Sequence, residues 1–238
     1  SDVCSSDLNL VGALRRQGRK KLQGDHGQFG GHVRGVVHVG ANTGQERLIY
    51  DKEGLNVLWI EPIPSVFDTL VANIRALPKQ RAVCALVTDR DGVETPFHIA
   101  NNDGKSSSIL DLKHHADIYP DIKFKSTITL KSTTLNALFA REGLDPADYG
   151  ALVMDTQGSE LLVLQGAVPL LRSFEYIKTE VADFESYAGC CQLADIDAFM
   201  RRHGYHEIWR KKFSERAQGG SYFDVIYRKR ALRRLLRR

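Results

Sequence analysis

Residues 36–44 of this 238-residue chain read VVHVGANTG, and this stretch decides the fold class. The β-branched run at residues 36–39 is typical of a buried strand, and the two glycines that follow allow a tight turn into a helix. A second apolar run, VLWI at residues 57–60, comes one helix later and ends at Glu61. Strand, turn, helix and strand in this order predict a parallel crossover unit, so we expect an α/β fold.

The rest of the chain continues this alternation of strands and helices. Apolar runs and turn signals predict further strands at residues 81–87, 93–99, 126–130, 151–154, 174–179 and 222–227. Helices are predicted after a capping box formed by Ser65 and Asp68, at residues 135–140 and 159–171, and around Ile196 with Gly204 as its C-terminal cap. The polar stretch at residues 101–120 is predicted to be a long loop near the site.

Composition limits the class of protein. With 42% hydrophobic and 26% charged residues, the chain can bury one substantial core, and one domain is expected. The longest apolar run, at residues 161–171, is interrupted by Gln165, Gly166 and Pro169, which excludes a membrane-spanning helix there. Four cysteines without a Cys-x-x-Cys pair predict no disulfide framework, and no stretch has the charge order of a secretory signal. We therefore expect a cytoplasmic protein.

Positive charge is concentrated at the two ends of the chain. The formal net charge is +4, yet residues 22–227 carry 21 basic and 27 acidic side chains, a net charge of −6. A nucleic-acid groove is therefore not expected. We divide the chain into an N-terminal segment at residues 1–32, partly foreign or helical because residues 1–7 lack Met and periodicity, a folded domain at residues 33–229, and a basic tail at residues 230–238. The tail is either solvated or makes a peripheral contact with an anionic membrane or an acidic partner.

The glycine turn and Glu61 predict a nucleoside site. Ligands of open α/β sheets bind beyond the carboxyl ends of the strands, where a carboxylate after the second strand can hold both ribose hydroxyls. The dinucleotide fingerprint needs glycines at positions 42 and 45, where this chain has Asn42 and Gln45, and no phosphate-binding loop follows a strand. A nucleoside without phosphates remains, and S-adenosylmethionine is the common cofactor of that kind.

Three segments together resemble the FkbM family of methyltransferases. They are VHVGANTGQE at residues 37–46, WIEPIP at residues 59–64 and MDTQGSELLVLQGA at residues 154–167. The serine run at residues 106–108, Glu180, the Tyr-Ala-Gly at residues 187–189 and Gly204-Tyr205 follow in the same order. The resemblance covers roughly residues 33–229, which it identifies as a methyltransferase domain.

The resemblance implies a class I methyltransferase fold and methyl transfer from S-adenosylmethionine, usually to a hydroxyl. The fold is Rossmann-like: a mostly parallel seven-stranded sheet with helices on both faces, whose last strand runs antiparallel. By motif position, Glu61 would hold the ribose, and the methionine and ribose side of the cofactor would be lined by Gly40, Ala41, Asn42 and Gly44. The family usually has Asp where this chain has His38, a position expected to orient the glycine turn or the amino group of the cofactor.

Asp155 and Glu180 are the candidate catalytic residues, because both are predicted at or near the carboxyl ends of neighbouring strands and so face one crevice. Three roles are open for them: accepting the hydroxyl proton, binding a divalent cation, or capping the Gly158 turn. Ser107 and Ser108 are candidate substrate-binding residues. Glu160 is assigned a structural role in a first helical turn, and His98, His114 and His115 are further candidate bases.

The sequence therefore predicts an S-adenosylmethionine-dependent O-methyltransferase that acts on the hydroxyl of a saccharide or another small-molecule or glycan acceptor. Two alternatives are open. One is a noncatalytic nucleoside-binding or scaffold domain with a basic docking tail, which His38 favours. The other is a nicotinamide-dependent oxidoreductase, which Asn42 and Gln45 disfavour.

Overall fold

The computed structural model describes Phe29 and residues 33–230. The predicted N-terminal segment, apart from Phe29, and residues 231–238 of the predicted tail lie outside this part. The described strands are β1 (Gly35–Val39), β2 (Asn56–Glu61), β3 (Gln80–Cys84), β4 (Leu86–Val87), β5 (Glu94–Ala100), β6 (Phe124–Thr133), β7 (Ala151–Met154), β8 (Tyr176–Ala182), β9 (Tyr205–Glu215) and β10 (Ser221–Lys229). The described α-helices are α1 (Arg47–Lys52), α2 (Pro64–Ile74), α3 (Leu135–Arg141), α4 (Glu160–Gly166) and α5 (Leu193–Arg202).

A seven-stranded sheet forms the centre of the described part, in the order β3-β2-β1-β7-β8-β10-β9. The four pairings among β3, β2, β1, β7 and β8 are parallel, whereas β10 is antiparallel to both β8 and β9. This confirms the predicted mostly parallel sheet of seven strands with an antiparallel last strand. The order reverses beside β1, which places a ligand crevice at the carboxyl ends of β1 and β7.

Helices cover both faces of this sheet, as predicted. Alternate residues of each strand point to opposite faces, so Val36 and Val37 enter two different cores. Apolar residues of α1 and α2 share a core with Val36, and apolar residues of α3, α4 and α5 share the other with Val37. Because both faces are covered, β7 is apolar throughout, and His38 is the one polar residue between the ends of β1 and β2. Strand β8 carries Lys178, Thr179 and Glu180.

A second, three-stranded sheet, in the order β4-β6-β5, stands beside the first. The single strand predicted at residues 81–87 is wrong here, because the chain leaves the large sheet after Cys84 and pairs Leu86 and Val87 with β6. Ala85 lies between the two strands, where its N–H donates to the carbonyl of Glu61 at 3.3 Å. An apolar run of seven residues does not reveal this change of sheet, because both of its halves are strands.

Three other predictions about elements need correction. Ser65 and Asp68 do not form a capping box: α2 begins at Pro64, a residue suited to the first helical position, and Ile63 is its N-cap. The helix predicted at residues 159–171 is α4 followed by a 3-10 helix at Val168–Ser173, because Pro169 has no N–H for an α-helical bond. Strand β9 was not predicted, since its charged side chains suit an edge strand and conceal its alternation.

Within the described residues, none of the helices is long and apolar enough to cross a membrane. Cys84, Cys190 and Cys191 are free thiols.

Candidate active site

A cavity of about 420 Å³ lies at the carboxyl ends of β1, β2, β7 and β8. This volume falls in the range of roughly 300–1,000 Å³ that ligand sites occupy. Its walls include the glycine turn after β1, the end of β2, Asp155, Glu180, and parts of the loop at residues 102–122 and of the β9–β10 hairpin. The cavity therefore joins the site predicted for a nucleoside to a second region, where the predicted loop meets a hairpin that the sequence did not indicate.

The glycine turn is built against the end of β7. Gly40 has a positive φ of 78°, and a Cβ at this position would lie 1.9 Å from the carbonyl oxygen of Asp155. Ala41 and Asn42 also line the cavity, Asn42 with a positive φ of 45°. Gly44 does not line it; a Cβ there would meet the side chain of Leu70 at 2.7 Å. Gly40 thus allows the turn to pack closely against the end of β7, and Gly44 allows α2 to pack beneath the turn.

Glu61 is held in place by the backbone around it. Its carboxylate is only 4% exposed, and its two oxygens accept from the N–H groups of Asn42 and Ile63, each at 2.9 Å. Burial nevertheless raises the pKa of Glu61 to about 7, because the two hydrogen bonds only partly offset the loss of solvation. Each oxygen keeps acceptor capacity, so a pair of ligand hydroxyls can bind there.

His38 lies on β1 at the wall of this cavity. Its ring stacks on Trp59 with centroids 5.0 Å apart, and its Nδ1 lies 3.4 Å from the Tyr50 hydroxyl and 4.0 Å from the Glu46 carboxylate. Glu46 also lines the cavity, although the sequence analysis did not select it. A carboxylate therefore stands near the glycine turn even though β1 itself carries a histidine.

Asp155 and Glu180 line the same cavity, as their predicted strand-end positions required. Asp155 follows β7 and accepts from the side-chain amide of Gln157. Glu180 is opposite Asp224 in the β8–β10 pairing. Burial first, and then the negative charges of Asp155 and Asp224, raise the pKa of Glu180 well above its usual value. Lys178, which pairs with Asp224 at 3.7 Å, acts in the opposite direction.

The third role left open for Asp155 and Glu180, capping of the Gly158 turn, belongs to Glu160. Glu160 is buried at the start of α4, and its carboxylate accepts from the N–H groups of Thr156 and Gly158. Glu160 thus caps the Gly158 turn, so neither Asp155 nor Glu180 is needed for that purpose. Within the described residues, no group of three or more His, Cys, Asp or Glu side chains has a geometry suited to a metal ion.

The two candidate serines differ in position. Ser107 lines the cavity, and its hydroxyl accepts from the Ala100 N–H at 2.9 Å. Ser108 is 0% exposed and does not line the cavity; its hydroxyl donates to the Gln157 carbonyl at 2.8 Å and accepts from the Leu110 N–H. The structure therefore brings Ser107, but not Ser108, to the cavity.

Aromatic side chains form the end of the cavity away from Glu61, and the sequence analysis missed most of them. Phe213 and Tyr222, from the two strands of the β9–β10 hairpin, stack with ring centroids 5.7 Å apart. Tyr119 and His115, from the loop, complete this group, and His115 Nδ1 lies 2.7 Å from the Tyr222 hydroxyl. These residues come from segments about 100 positions apart, so no local sequence motif could have indicated them.

Comparison with known proteins connects the chain to one family. A family model described as "Methyltransferase FkbM domain" matches residues 38–207, which contain the glycine turn, Glu61, Asp155 and Glu180. Comparison with curated proteins found no match.

Solved structures similar to this chain include several methyltransferases. The METTL16 MTase domain is 12% identical with a TM-score of 0.50, and the alignment covers 94% of this chain and 68% of that chain. Sp1610 from Streptococcus pneumoniae, proposed to be a tRNA (m1A22) methyltransferase, is 12% identical in its complex with S-adenosyl-L-methionine, with a TM-score of 0.47 and coverage of 84% and 70%. In a second Sp1610 structure this chain covers 66% of the length. Precorrin-6y C5,15-methyltransferase from Geobacter metallireducens GS-15 is 9% identical, with a TM-score of 0.46 and coverage of 83% and 81%.

Proposed function

The chain belongs to the FkbM methyltransferase family, whose methyl donor is S-adenosylmethionine, and from this premise we propose that it methylates a hydroxyl oxygen of a saccharide or a related small-molecule or glycan acceptor. The observation that carries the proposal is one cavity that joins a nucleoside site at Glu61 to a region with a half-buried carboxylate, Glu180, and aromatic walls. We propose Asp155 and Glu180 as the catalytic residues.

The end of the cavity at the glycine turn and Glu61, which we call the cofactor end, fits this donor. The glycine turn borders the space for the methionine portion, and the oriented carboxylate of Glu61 can accept from both ribose hydroxyls. Ile63, Leu86 and Phe97 supply apolar walls beyond Glu61, where an adenine ring would lie. We therefore assign cofactor binding to Gly40, Ala41, Asn42 and Glu61, with Gly44 shaping the turn.

When bound, the cofactor supplies an electrophilic methyl carbon on a positively charged sulfur. The acceptor oxygen forms a bond to this carbon as the carbon–sulfur bond breaks, the electron pair stays on sulfur, and the hydroxyl proton must leave. Glu180 is placed to take that proton in its ionised form, since burial and neighbouring acids have made it more basic than an ordinary carboxyl. Asp155, which is close enough to raise the pKa of Glu180, supports that basicity.

We call the end of the cavity away from Glu61 the acceptor end; it contains Glu180, His115, Tyr119, Phe213 and Tyr222. Its side chains favour a neutral polyol as the acceptor. Lys105 is the one lysine or arginine among the described residues that line the cavity, and it is exposed. A phosphate-rich acceptor such as a nucleic acid would lack cationic partners there, so we keep the prediction that nucleic acid is not the acceptor. Aromatic faces beside a few polar groups are typical of sites for small polar ligands. The likeness to solved methyltransferase structures carries no argument about the acceptor.

Titration calorimetry with S-adenosylhomocysteine tests the cofactor site first. We expect native protein to bind it, and Glu61→Ala to weaken binding by about 1–3 kcal/mol, because buried hydrogen bonds to ribose are lost. Glu94→Ala, which removes an exposed carboxylate outside the cavity, is the matched control and should bind as the native protein does. Folded native protein that does not bind would overturn the proposal and favour a noncatalytic scaffold.

Methyl transfer is then screened with isotopically labelled S-adenosylmethionine against methyl glycosides, free monosaccharides and small polyols. Label in an ether-linked methyl group supports the proposal. Transfer to amines or nucleobases alone would contradict the O-methylation. The cytoplasmic location, the boundaries of the methyltransferase domain and the peripheral role of the basic tail remain predictions.

A further inference from the structure

The acceptor end contains a hydrogen-bonded pair, His115 and Tyr222, to which the reaction described above gives no role. His115 lies in a 3-10 helix at His114–Asp117, and Tyr222 lies in β10 next to the turn of the β9–β10 hairpin. Both side chains line the cavity, and the His115 Nδ1 is 2.7 Å from the Tyr222 hydroxyl oxygen. A contact between residues 107 positions apart is a product of the tertiary fold alone.

The imidazole of His115 is held rigidly and is uncharged. It is 4% exposed, with the rings of Tyr119 and Tyr187 at centroid distances of 4.9 and 5.2 Å and that of Tyr222 edge-on at 5.9 Å. Burial among these rings lowers the pKa of His115 to about 4, so the ring is neutral at neutral pH. Neutral imidazole has one N–H and one lone pair, and the position of its single proton decides what Tyr222 can do.

The surroundings of Nε2 decide where that proton lies. Nε2 is buried, and the described residues offer it no hydrogen-bond partner. A buried N–H without an acceptor is rarer in proteins than an unused lone pair, so the proton is expected on Nδ1. Nδ1–H then donates to the Tyr222 oxygen. Burial raises the pKa of Tyr222 far above its usual value. Tyr222 therefore keeps its phenolic proton and has it available for another acceptor.

We propose that Tyr222, oriented by His115, donates this hydrogen bond to the acceptor oxygen next to the one that is methylated, so that the preferred acceptor is a vicinal diol. The inference rests on the proposed function, because it places the reacting hydroxyl at Glu180. Tyr222 lies two positions before Asp224, which is opposite Glu180 in the β8–β10 pairing. The side chains of Tyr222 and Glu180 therefore lie on one face of the sheet, both line the cavity, and they can hold neighbouring oxygens of one ligand. Donation to the reacting oxygen itself would withdraw electron density from the nucleophile, which is why the neighbouring oxygen is the partner.

The proton position is tested without any acceptor. Full-length protein labelled with ¹⁵N-histidine is studied by NMR in complex with S-adenosylhomocysteine, and the His115 signals are those lost in His115→Gln. We expect a neutral ring with the proton on Nδ1, unchanged between pH 5.5 and 8. If His115→Gln does not fold, Tyr222→Phe provides the assignment, because it shifts the same signals. A proton on Nε2, or a charged ring at pH 5.5, overturns the proposal.

The diol preference is tested by a cycle of protein and ligand changes. For a methylated glycoside, the monodeoxy analogue that lacks the neighbouring hydroxyl is compared with the parent on native protein and on Tyr222→Phe. We expect either change alone to raise KM about tenfold with kcat nearly unchanged, and both together to raise it no further. Tyr149→Phe, which removes a phenolic hydroxyl outside the cavity, should behave as the native protein does.

Each remaining outcome has a distinct meaning. If Tyr222→Phe and the loss of the neighbouring hydroxyl together raise KM by the product of their separate effects, Tyr222 does not contact that oxygen and the proposal is overturned. Binding of S-adenosylhomocysteine without transfer to any diol overturns this proposal and the saccharide acceptor but leaves the cofactor site intact. Failure of folded protein to bind S-adenosylhomocysteine overturns the proposed function itself.

Discussion

The two ends of the cavity differ in how far along the chain their residues are separated. The polar part of the cofactor end comes from residues 38–63: Glu61 accepts from the N–H of Asn42, only 19 positions earlier. The acceptor end joins a loop histidine, His115, to Tyr222 in the last hairpin. The cofactor end is therefore visible in the sequence as a local motif. The acceptor end forms only when β10 pairs with β8 in the folded sheet.

The two ends also differ in electrostatics. Glu61 is buried but receives two backbone N–H groups, so its pKa rises only to about 7. Glu180 is raised well above the usual value by burial and by nearby acids, and His115 is kept neutral by burial. Backbone hydrogen bonds at the cofactor end thus limit the rise in the pKa of Glu61, whereas burial at the acceptor end favours the uncharged forms of Glu180 and His115. Four experiments sharpen this comparison.

The largest effect, on the free energy of unfolding, is expected at Gly40, where the glycine turn of the cofactor end packs against Asp155. Gly40→Ala would place a Cβ against the Asp155 carbonyl at a positive φ, and we expect the free energy of unfolding to fall by roughly 3–5 kcal/mol. Gly143→Ala is the matched control: Gly143 also has a positive φ, 61°, but a Cβ there meets nothing within 4 Å. Its loss should be about 1–2 kcal/mol. Urea unfolding that gives equal losses would show that the β1–β7 contact does not constrain the turn.

Glu180→Gln tests the acceptor end. If Glu180 takes the proton, kcat should fall by about 10²- to 10⁴-fold while binding of S-adenosylhomocysteine stays unchanged. In native protein kcat/KM should rise with pH through the raised pKa of Glu180, because the ionised form is the base.

The same substitution has a stability signature. A carboxyl whose pKa is raised by folding stabilises the protein below its unfolded pKa and loses that contribution as pH rises. The Gln variant should therefore unfold at a higher temperature than the native protein at pH 8, with the difference disappearing towards pH 4. A variant that is inactive but less stable at pH 8 would indicate a structural role instead.

A smaller effect is expected when the cofactor end is titrated. Because ribose hydroxyls donate to ionised Glu61, whose pKa is about 7, the Kd for S-adenosylhomocysteine should be about tenfold higher at pH 6 than at pH 8. Without ligand, a rise in pH lowers the stability of the fold. Protonated Glu61 favours the folded state below about pH 4.5, and this contribution is lost as pH rises past 7. Titration calorimetry across this pH range measures the Kd, and scanning calorimetry measures the stability without ligand. A Kd that does not change with pH would contradict the contact between Glu61 and ribose.

The smallest effect is expected at the rim of the acceptor end. Arg216, at the end of the hairpin, donates to the Asp117 carboxylate at 2.7 and 2.9 Å and thereby ties the hairpin to the loop that carries His115. Arg216→Gln should raise the acceptor KM by about threefold at most with kcat unchanged, because exposed ion pairs are weak. Arg210→Gln removes a comparable pair with Glu207 within β9 and should leave KM unchanged. A fall in kcat would place Arg216 closer to the reaction than the structure does.

The elements themselves show where sequence analysis works. Strand β7 was predicted with its observed ends, and the glycine turn, Glu61, Asp155 and Glu180 were predicted to border one crevice, because residues at the carboxyl ends of parallel strands meet at one edge. Ser108 was predicted at the site and lies buried beside it, because its hydroxyl closes the loop onto Gln157. Strand β9 was missed because its alternation is hidden by charge.

The sequence by itself determined the parallel α/β sheet, because strand and helix patterns repeat with regular periods, and the family, because three short segments carry its motifs. It also predicts where the cofactor binds. Only the tertiary structure decided the division of residues 81–87 between two sheets and the acceptor end, where the β9–β10 hairpin forms a wall and His115 contacts Tyr222. The physical reason is that these contacts join segments with no common period, so they form only when the packed sheet brings them together.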